Sequence, residues 1–445
     1  MKRVFYLVAF AARFLFPVIG KAQECSQLAY TANAVTHNVS IIDLTNRTAI
    51  GNITLPTGSL QSVGIAIPPN GKFAYVTNFG SGDVSVIDLS TNQSLPANIP
   101  LAPGIIGIAI TPDGKTAYVT NQATNRVAII DLTTNTASPT QIALPIQASN
   151  SDFIAISPNG QFAYVTAQQT NGGVSVIDLS NQSTSFISLP PGSNLSTSLA
   201  ITPDGTRAYV INQASNDVSI IDLATNIPNP TNIPLPAGSS QPTLCAITPD
   251  GRWLYICNGA SNDLSLIDLS TNTPLPNIPL PASSLEPLGI AISSDQKFAY
   301  ITNINSSDIS VIDLTTNIAE PTNIPLAAGA TNPYMIALFP CTQQPPSSAV
   351  SATTWKNAYF WQTDLYNKIT WSAPSGTTPS YYAIYSDGTW LGDVSSDTFV
   401  FENHYLKPKT SYTYSVYAFN GSGSATLIGR DFQGVPILPF SLIPN

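Results

Sequence analysis

Ala74-Tyr75-Val76-Thr77-Asn78 recurs, with small changes, seven times along this chain. Its tyrosine falls at Tyr30, Tyr75, Tyr118, Tyr164, Tyr209, Tyr255 and Tyr300, at gaps of 45, 43, 46, 45, 46 and 45 residues. A Val/Ile-Ile-Asp-Leu phrase follows each tyrosine, with its aspartate at Asp43, Asp88, Asp131, Asp178, Asp222, Asp268 and Asp313. Ile-Ala-Ile and a Thr/Ser-Pro-Asp/Asn-Gly turn precede most of them. Short apolar runs separated by turns at this period are the signature of propeller blades. The expected fold class is therefore all-β, a seven-bladed β-propeller.

One unit shows how a blade is written. Gly64-Ile65-Ala66-Ile67 has little polarity, as a strand near the axis should. Pro68-Pro69-Asn70-Gly71 is a hairpin turn whose Asn-Gly pair supplies positive φ. Phe73 to Asn78 and Val84 to Leu89 form the next two strands, and Ile99-Pro100-Leu101 a short outer one. Proline is tolerated there because the outer strand is an edge. The inner-strand alanines are Ala66, Ala109, Ala155, Ala200, Ala246, Ala291 and Ala337. Ala337 has no tyrosine strand after it, and the Tyr30 strand has no inner strand before it. One blade is thus split between the two ends of the repeat array.

The cysteines fit a split blade. Cys25 lies five residues before Tyr30 and Cys341 four after Ala337, the same turn position approached from both directions. A disulfide there would lock the ring, with roughly 4–5 kcal/mol of stabilisation by loop-closure entropy. Cys245 and Cys257 flank one hairpin, and a second bridge and a pair of buried thiols are both open.

The N-terminus reads as an export signal, residues 1–22: Lys2 and Arg3, an apolar run from Val4 to Ile19, then Gly20-Lys21-Ala22 as a cleavage site. Cys25 has no lipobox before it. Cleavage would remove four of the 16 basic residues and none of the 25 acidic ones, taking the formal net charge from −9 to −13. Such a surface repels nucleic acid and anionic lipid, and no later stretch is apolar enough for membrane insertion. Export also supplies the oxidising compartment that the Cys25–Cys341 link needs.

Residues 23–341 are the propeller and 342–350 a polar, proline-containing linker. Composition then changes: the region from Ser351 onward holds 19 of the 40 aromatic residues and four of the five tryptophans. Ile369-Thr370-Trp371, Tyr382-Ala383-Ile384-Tyr385 and Leu406-Lys407-Pro408-Lys409-Thr410-Ser411-Tyr412 make 351–434 resemble a fibronectin type III β-sandwich, with a tyrosine corner. Residues 435–445 are a tail. The repeats resemble the YVTN, or YncE-like, propellers. That resemblance implies the fold strongly and the activity weakly, since its members include surface-layer proteins, sugar-lactone hydrolases and binding proteins.

A residue present in every blade serves what every blade needs. The seven aspartates, and the asparagines Asn33, Asn78, Asn121, Asn212, Asn258 and Asn303, read as strand-end groups bonding turn amides. Function is expected where blades differ. Five residues before the inner alanines stand Gln61, Gly104, Asn150, Leu195, Gln241, Glu286 and Asn332. Gln61, Asn150, Gln241, Glu286 and Asn332, with Asp152 nearby, are the candidate ligand-binding residues at one mouth of the channel. Plain loop hydrogen bonding is the competing reading. His37 and His404 stand alone and read as surface or cap residues. The chain has no His-x-x-x-His pair, zinc-spaced cysteines, Gly-x-Ser-x-Gly elbow or phosphate loop. No metal, cofactor or catalytic constellation is therefore expected. An acid–base pair of Glu286 and Asp152 across the axis remains the enzymatic option. Trp355, Tyr359, Phe360, Trp361 and Tyr366 suit stacking on sugar rings or a small sandwich core. The expected function is a secreted, non-catalytic binding or scaffold protein with a protein or carbohydrate partner. A lactone or glycan hydrolase and a structural envelope component are the alternatives.

Peptide mapping of unreduced exported protein is expected to recover Cys25 linked to Cys341. Free thiols at both positions in folded protein would remove that bond.

Overall fold

The computed structural model describes residues 28–339 throughout, and seven strands between Val350 and Gly434 as backbone. The chain divides into two compact units, one of them Ser26–Thr342. That unit is a seven-bladed β-propeller. In the second blade, Ser62–Ala66, Phe73–Asn78 and Asp83–Asp88 pair antiparallel in order, and Gln93–Ser94 and Ile99–Pro100 share the outer edge. The inner strand begins earlier than the Gly64 read from sequence, because a bulge at its start takes up an extra residue. The first blade is split. Leu28–Asn33 pairs with Pro333–Leu338, placing Tyr30 opposite Ala337. The seven inner strands neighbour one another in a closed ring.

The Ala-Tyr pair is a fit between blades. The second strand is buried on both faces, so alternate residues enter two different cores. Ala74 and Val76 pack in the core that holds Tyr30 of the preceding blade, while Tyr75 enters the next core, beside Ala117. The same pairing joins Tyr118 to Ala163, Tyr164 to Ala208, Tyr255 to Ala299 and Tyr300 to Ala29. The small alanine leaves room for the ring. The tyrosine hydroxyl donates to an asparagine in the third turn of the next blade: Tyr30 to Asn92, Tyr75 to Asn135, Tyr164 to Asn226, Tyr209 to Asn272 and Tyr255 to Asn317. Each of these asparagines is left-handed, with φ between 54 and 56°. Blade 4 has Gln182 at that place and the split blade has Arg47. Arg47 instead lies over the Phe298 ring and pairs with Glu320.

The threonine is a second inter-blade joint. Thr77, Thr120, Thr166 and Thr302 accept a backbone N–H from the bulge of their own inner strand. They donate to a carbonyl of the next inner strand, on Ile106, Asp152, Thr197 and Tyr334 respectively. Blades 5 and 6 carry Ile211 and Cys257 at this position. There Ser198 donates to the Thr243 carbonyl at 2.7 Å, and Thr243 to Pro287 at 3.2 Å. The hydroxyl has moved to the neighbouring strand.

The recurrent asparagines hold the hairpin that follows. Asn78 donates to Asp83 and Ser85, and Asn33, Asn212, Asn258 and Asn303 do the same in their blades. Ser62 and Ser196 donate to the Asn78 and Asn212 side-chain oxygens. Pro333, Pro242 and Pro287 take that serine's place in three consecutive blades, and the oxygens of Asn33, Asn258 and Asn303 are left without a protein donor. The Val/Ile-Ile-Asp-Leu aspartates accept from the turn behind them. The Ser90 hydroxyl and amide, for example, hold Asp88 below the usual carboxylate range.

Cys245 and Cys257 are separate thiols, which corrects the bridge considered for them. Cys245 pairs across the hairpin with Ile256, so Cys257 points to the opposite face. The two sulfurs belong to cores on either side of the blade. Burial raises both thiols, Cys245 to about 12. Cys25 and Cys341 lie outside the described residues.

The backbone strands after the propeller form two sheets. One has the order Val350–Ala358, Thr363–Trp371, Val400–Asn403. The other runs Thr389–Ser395, Tyr381–Ser386, Ser411–Phe419, Ala425–Gly434.

Tyr75→Phe is expected to cost about 1 kcal/mol, the usual worth of one buried hydrogen bond. Tyr118→Phe is expected to cost less than about half of that, because Tyr118 has no asparagine to meet. Calorimetric melting of the two variants beside the wild type makes the comparison, and equal losses would sink the hydroxyl joint.

Candidate functional site

The loop that carries the chain from each outer strand to the next inner strand is built alike in all seven blades. The residue five before the inner alanine is left-handed each time: Gln61, Asn150, Leu195, Gln241, Glu286 and Asn332 have φ from 50 to 57°, and Gly104 has 94°. Its carbonyl accepts the N–H that follows the second strand, at 2.8–3.2 Å, from Phe79, Gln122, Gln168, Gln213, Gly259, Ile304 and Ala34. The structural work of this position is therefore done by backbone. Several of these residues are stitched to the preceding blade through their own N–H. Gln61 donates to His37 Nδ1, Gln241 to Asn216, Glu286 to Asn262 and Asn332 to Ser307. His37 is one of this set of loop acceptors, in keeping with its reading as a cap. His404 lies outside the described residues.

The side chains at this end are mostly free. Gln61, Asn150, Gln241 and Glu286 are exposed and Asn332 is half-buried. Glu286 Oε2 accepts from Asn305, and Asn150 reaches back to the Gln168 carbonyl. Around them stand exposed aliphatics, among them Leu60, Leu195 and Leu285. Val35 joins Leu60 and Gln61 in a cleft of about 390 Å³ between the first two blades.

Asp152 is not in this loop layer. It is the second residue of the inner strand Ser151–Ile156, where the other blades have Val63, Ile106, Thr197, Thr243, Leu288 and Tyr334. Its Oδ2 accepts from Gln168 Nε2 at 2.5 Å. It keeps some solvent access, yet surrounding protein pushes its carboxyl up to about 7, against a smaller lowering by Gln168. Tyr334 is raised to about 12, first by burial and then by the charges of Asp152 and Glu286. The two acids do not bond to each other; each is held by an amide of its own blade, and Tyr334 feels both. Sequence reading missed Gln168 and Tyr334. Aligning the blades at the residue three before the inner alanine makes the signal visible, since Asp152 and Tyr334 are the two titratable residues in that column. Among the described residues, no cluster of three or more His, Cys, Asp or Glu side chains could hold a metal ion.

No protein-family model matches this chain, and no curated protein matches it. Solved structures do. The chain is similar to hydrazine synthase of Kuenenia stuttgartiensis, at 23% identity and a TM-score of 0.57, over 65% of this chain and 93% of that one. It is also similar to the periplasmic gluconolactonase of Pseudomonas aeruginosa, at 16% identity and a TM-score of 0.58, over 70% and 98%. A protein from Lactobacillus plantarum matches at 15% identity and 0.58, over 70% and 99%. At these identities the likeness establishes the propeller fold and nothing of the activity.

Asp152→Asn is expected to change the pH dependence of stability. A carboxyl whose folded pKa is raised binds more protons folded than unfolded between its unfolded value near 4 and about 7. Its contribution to stability therefore falls as pH rises through that window. The variant should melt higher than wild type at about pH 8 and alike at about pH 4. A variant that melts lower at both would mean the carboxylate is structurally needed.

Proposed function

We propose that this is a secreted, non-catalytic binding protein that contacts a protein or carbohydrate partner through the loop face of its propeller. One observation carries the reading. Gly104 fills the left-handed loop position in one blade, yet Gln61, Gln241, Glu286 and Leu195 fill it in others. A side chain without the local bonding of Asn costs roughly 1–2 kcal/mol in that conformation. The backbone already makes the loop's hydrogen bond, and of these four side chains only Glu286 adds one, accepting from Asn305. Strain kept with so little structural return suits residues that meet a ligand. Amides and one carboxylate around a polar mouth match hydroxyl and peptide groups.

Export through residues 1–22, the Cys25–Cys341 lock and a fibronectin type III-like module at 351–434 belong to the same reading. The order of the two C-terminal sheets supports the module, because it is the three-plus-four arrangement of such sandwiches. The module would space the propeller from a surface. A hydrolase is the second reading, and Asp152 favours it: a carboxyl that titrates near neutrality is poised for general acid–base work.

The test replaces Gln61, Gln241 and Glu286 by glycine together. Stability is expected to hold or rise, while binding to a partner recovered by glycan array or surface pull-down falls at least about tenfold, the weight of one charge-assisted hydrogen bond. Unchanged binding would show that the loop side chains do not carry it. Lactone, ester and glycoside panels should give no turnover; turnover lost in Asp152→Asn would promote the hydrolase.

A further inference from the structure

The axial channel has a chemistry distinct from that of the loop face above it. Among the seven inner strands, Asp152 is the only carboxylate, and none carries a lysine or arginine. Its companions at the same level are apolar or aromatic. Ile106, Leu288 and Tyr334 are half-buried in the same column. Thr197 and Thr243 are nearly closed off, and their hydroxyls are spent on neighbouring carbonyls. Asp152 uses one oxygen on Gln168, and its Oδ1 has no protein donor among the described residues. It makes no ion pair there either. The flanking strands Ile105–Ile110 and Ser196–Ile201 bring no ionisable group. Its own second strand brings Tyr164, whose hydroxyl is committed to Asn226. Tyr334, itself near Glu286, is the other titratable group in reach.

A half-buried carboxylate beside apolar side chains, with one free oxygen and no protein cation, lacks a charged partner of its own. A divalent metal ion wants several oxygen ligands, and only one carboxylate is present. A protonated amine needs one strong acceptor and, if its body is apolar, a hydrophobic or aromatic surround. The acidic balance of the protein, −9 overall, draws cations toward it. We propose that the channel binds a small primary amine with an apolar body, its ammonium on Asp152 and its hydrocarbon against Ile106, Leu288 and Tyr334. This site goes beyond the loop-face reading, and either can fail without the other.

Phenethylamine and the neutral 2-phenylethanol are the probes, titrated calorimetrically into the mature protein at about pH 8. The amine is expected to bind saturably and at least about tenfold more tightly than the alcohol, and Asp152→Asn should remove that difference. Near pH 6, amine binding should release a proton, detected by repeating the titration in buffers of different ionisation enthalpy. That measurement needs only wild-type protein and stands even if the variant does not fold. No saturable binding, equal binding of the two probes, retention in Asp152→Asn or the absence of proton release would each overturn the site.

Discussion

The structure depends on the packing of a tyrosine against the next blade, where it meets an alanine at six of the seven interfaces and Leu254 at the seventh. A single four-stranded sheet exposes two apolar faces and has no core of its own. Tyr30, Tyr75, Tyr164, Tyr209, Tyr255 and Tyr300 are essentially fully buried, each in a core made by two adjacent blades. Burying a side chain of that size contributes on the order of 1.5–3 kcal/mol, and only if the neighbouring blade is present. The array therefore gains its stability by stacking. Closure extends this to the ends: Tyr300 packs on Ala29, and Leu28–Asn33 pairs with Pro333–Leu338.

The polar joints obey the same logic. Bulged inner strands leave backbone groups that cannot pair within their own ladder, and burial makes an unpaired group costly. Thr77 and its counterparts satisfy one group in their own blade and one in the next. The exceptions are informative, because they occur inside one chain. Where Ile211 and Cys257 remove the hydroxyl, Ser198 and Thr243 restore the bond to the following blade from the adjacent strand. In those two blades the donor has moved to the neighbouring strand, whereas in the split blade Thr31 donates to the Met335 carbonyl of its own inner strand.

Against this regular frame, departures have meaning. The loop face keeps its backbone identical seven times while its side chains range from glycine to glutamate. The channel places a single carboxylate among apolar neighbours and feels the cost, since burial pushes its proton affinity up to about neutrality. These two layers differ in chemistry: the outer presents amides and the carboxylate of Glu286, the inner the single acid Asp152 beside apolar side chains. A propeller permits this separation because its blades supply the rigidity and its axis and loops are free to vary.

The sequence by itself determined the blade number, the split blade and the turn role of the Val/Ile-Ile-Asp-Leu aspartates. Period, alternation and turn residues are local properties, and local hydrogen bonds such as Ser90 to Asp88 follow from spacing alone. It also pointed to Gln61, Asn150, Gln241, Glu286 and Asn332 as equivalent positions, and to Asp152 as an acid beside them. Tertiary structure decided what these residues face. It put Asp152 one layer below the loops, gave it Gln168, and brought Tyr334, 182 positions away in sequence, within reach of its charge. It also turned Cys245 and Cys257 to opposite faces of one sheet. That outcome depends on a bulge in the inner strand, and a one-residue shift in register exchanges the two faces of a strand. Which side chains share a face, and which share an axis, is settled only when seven sheets close on one another.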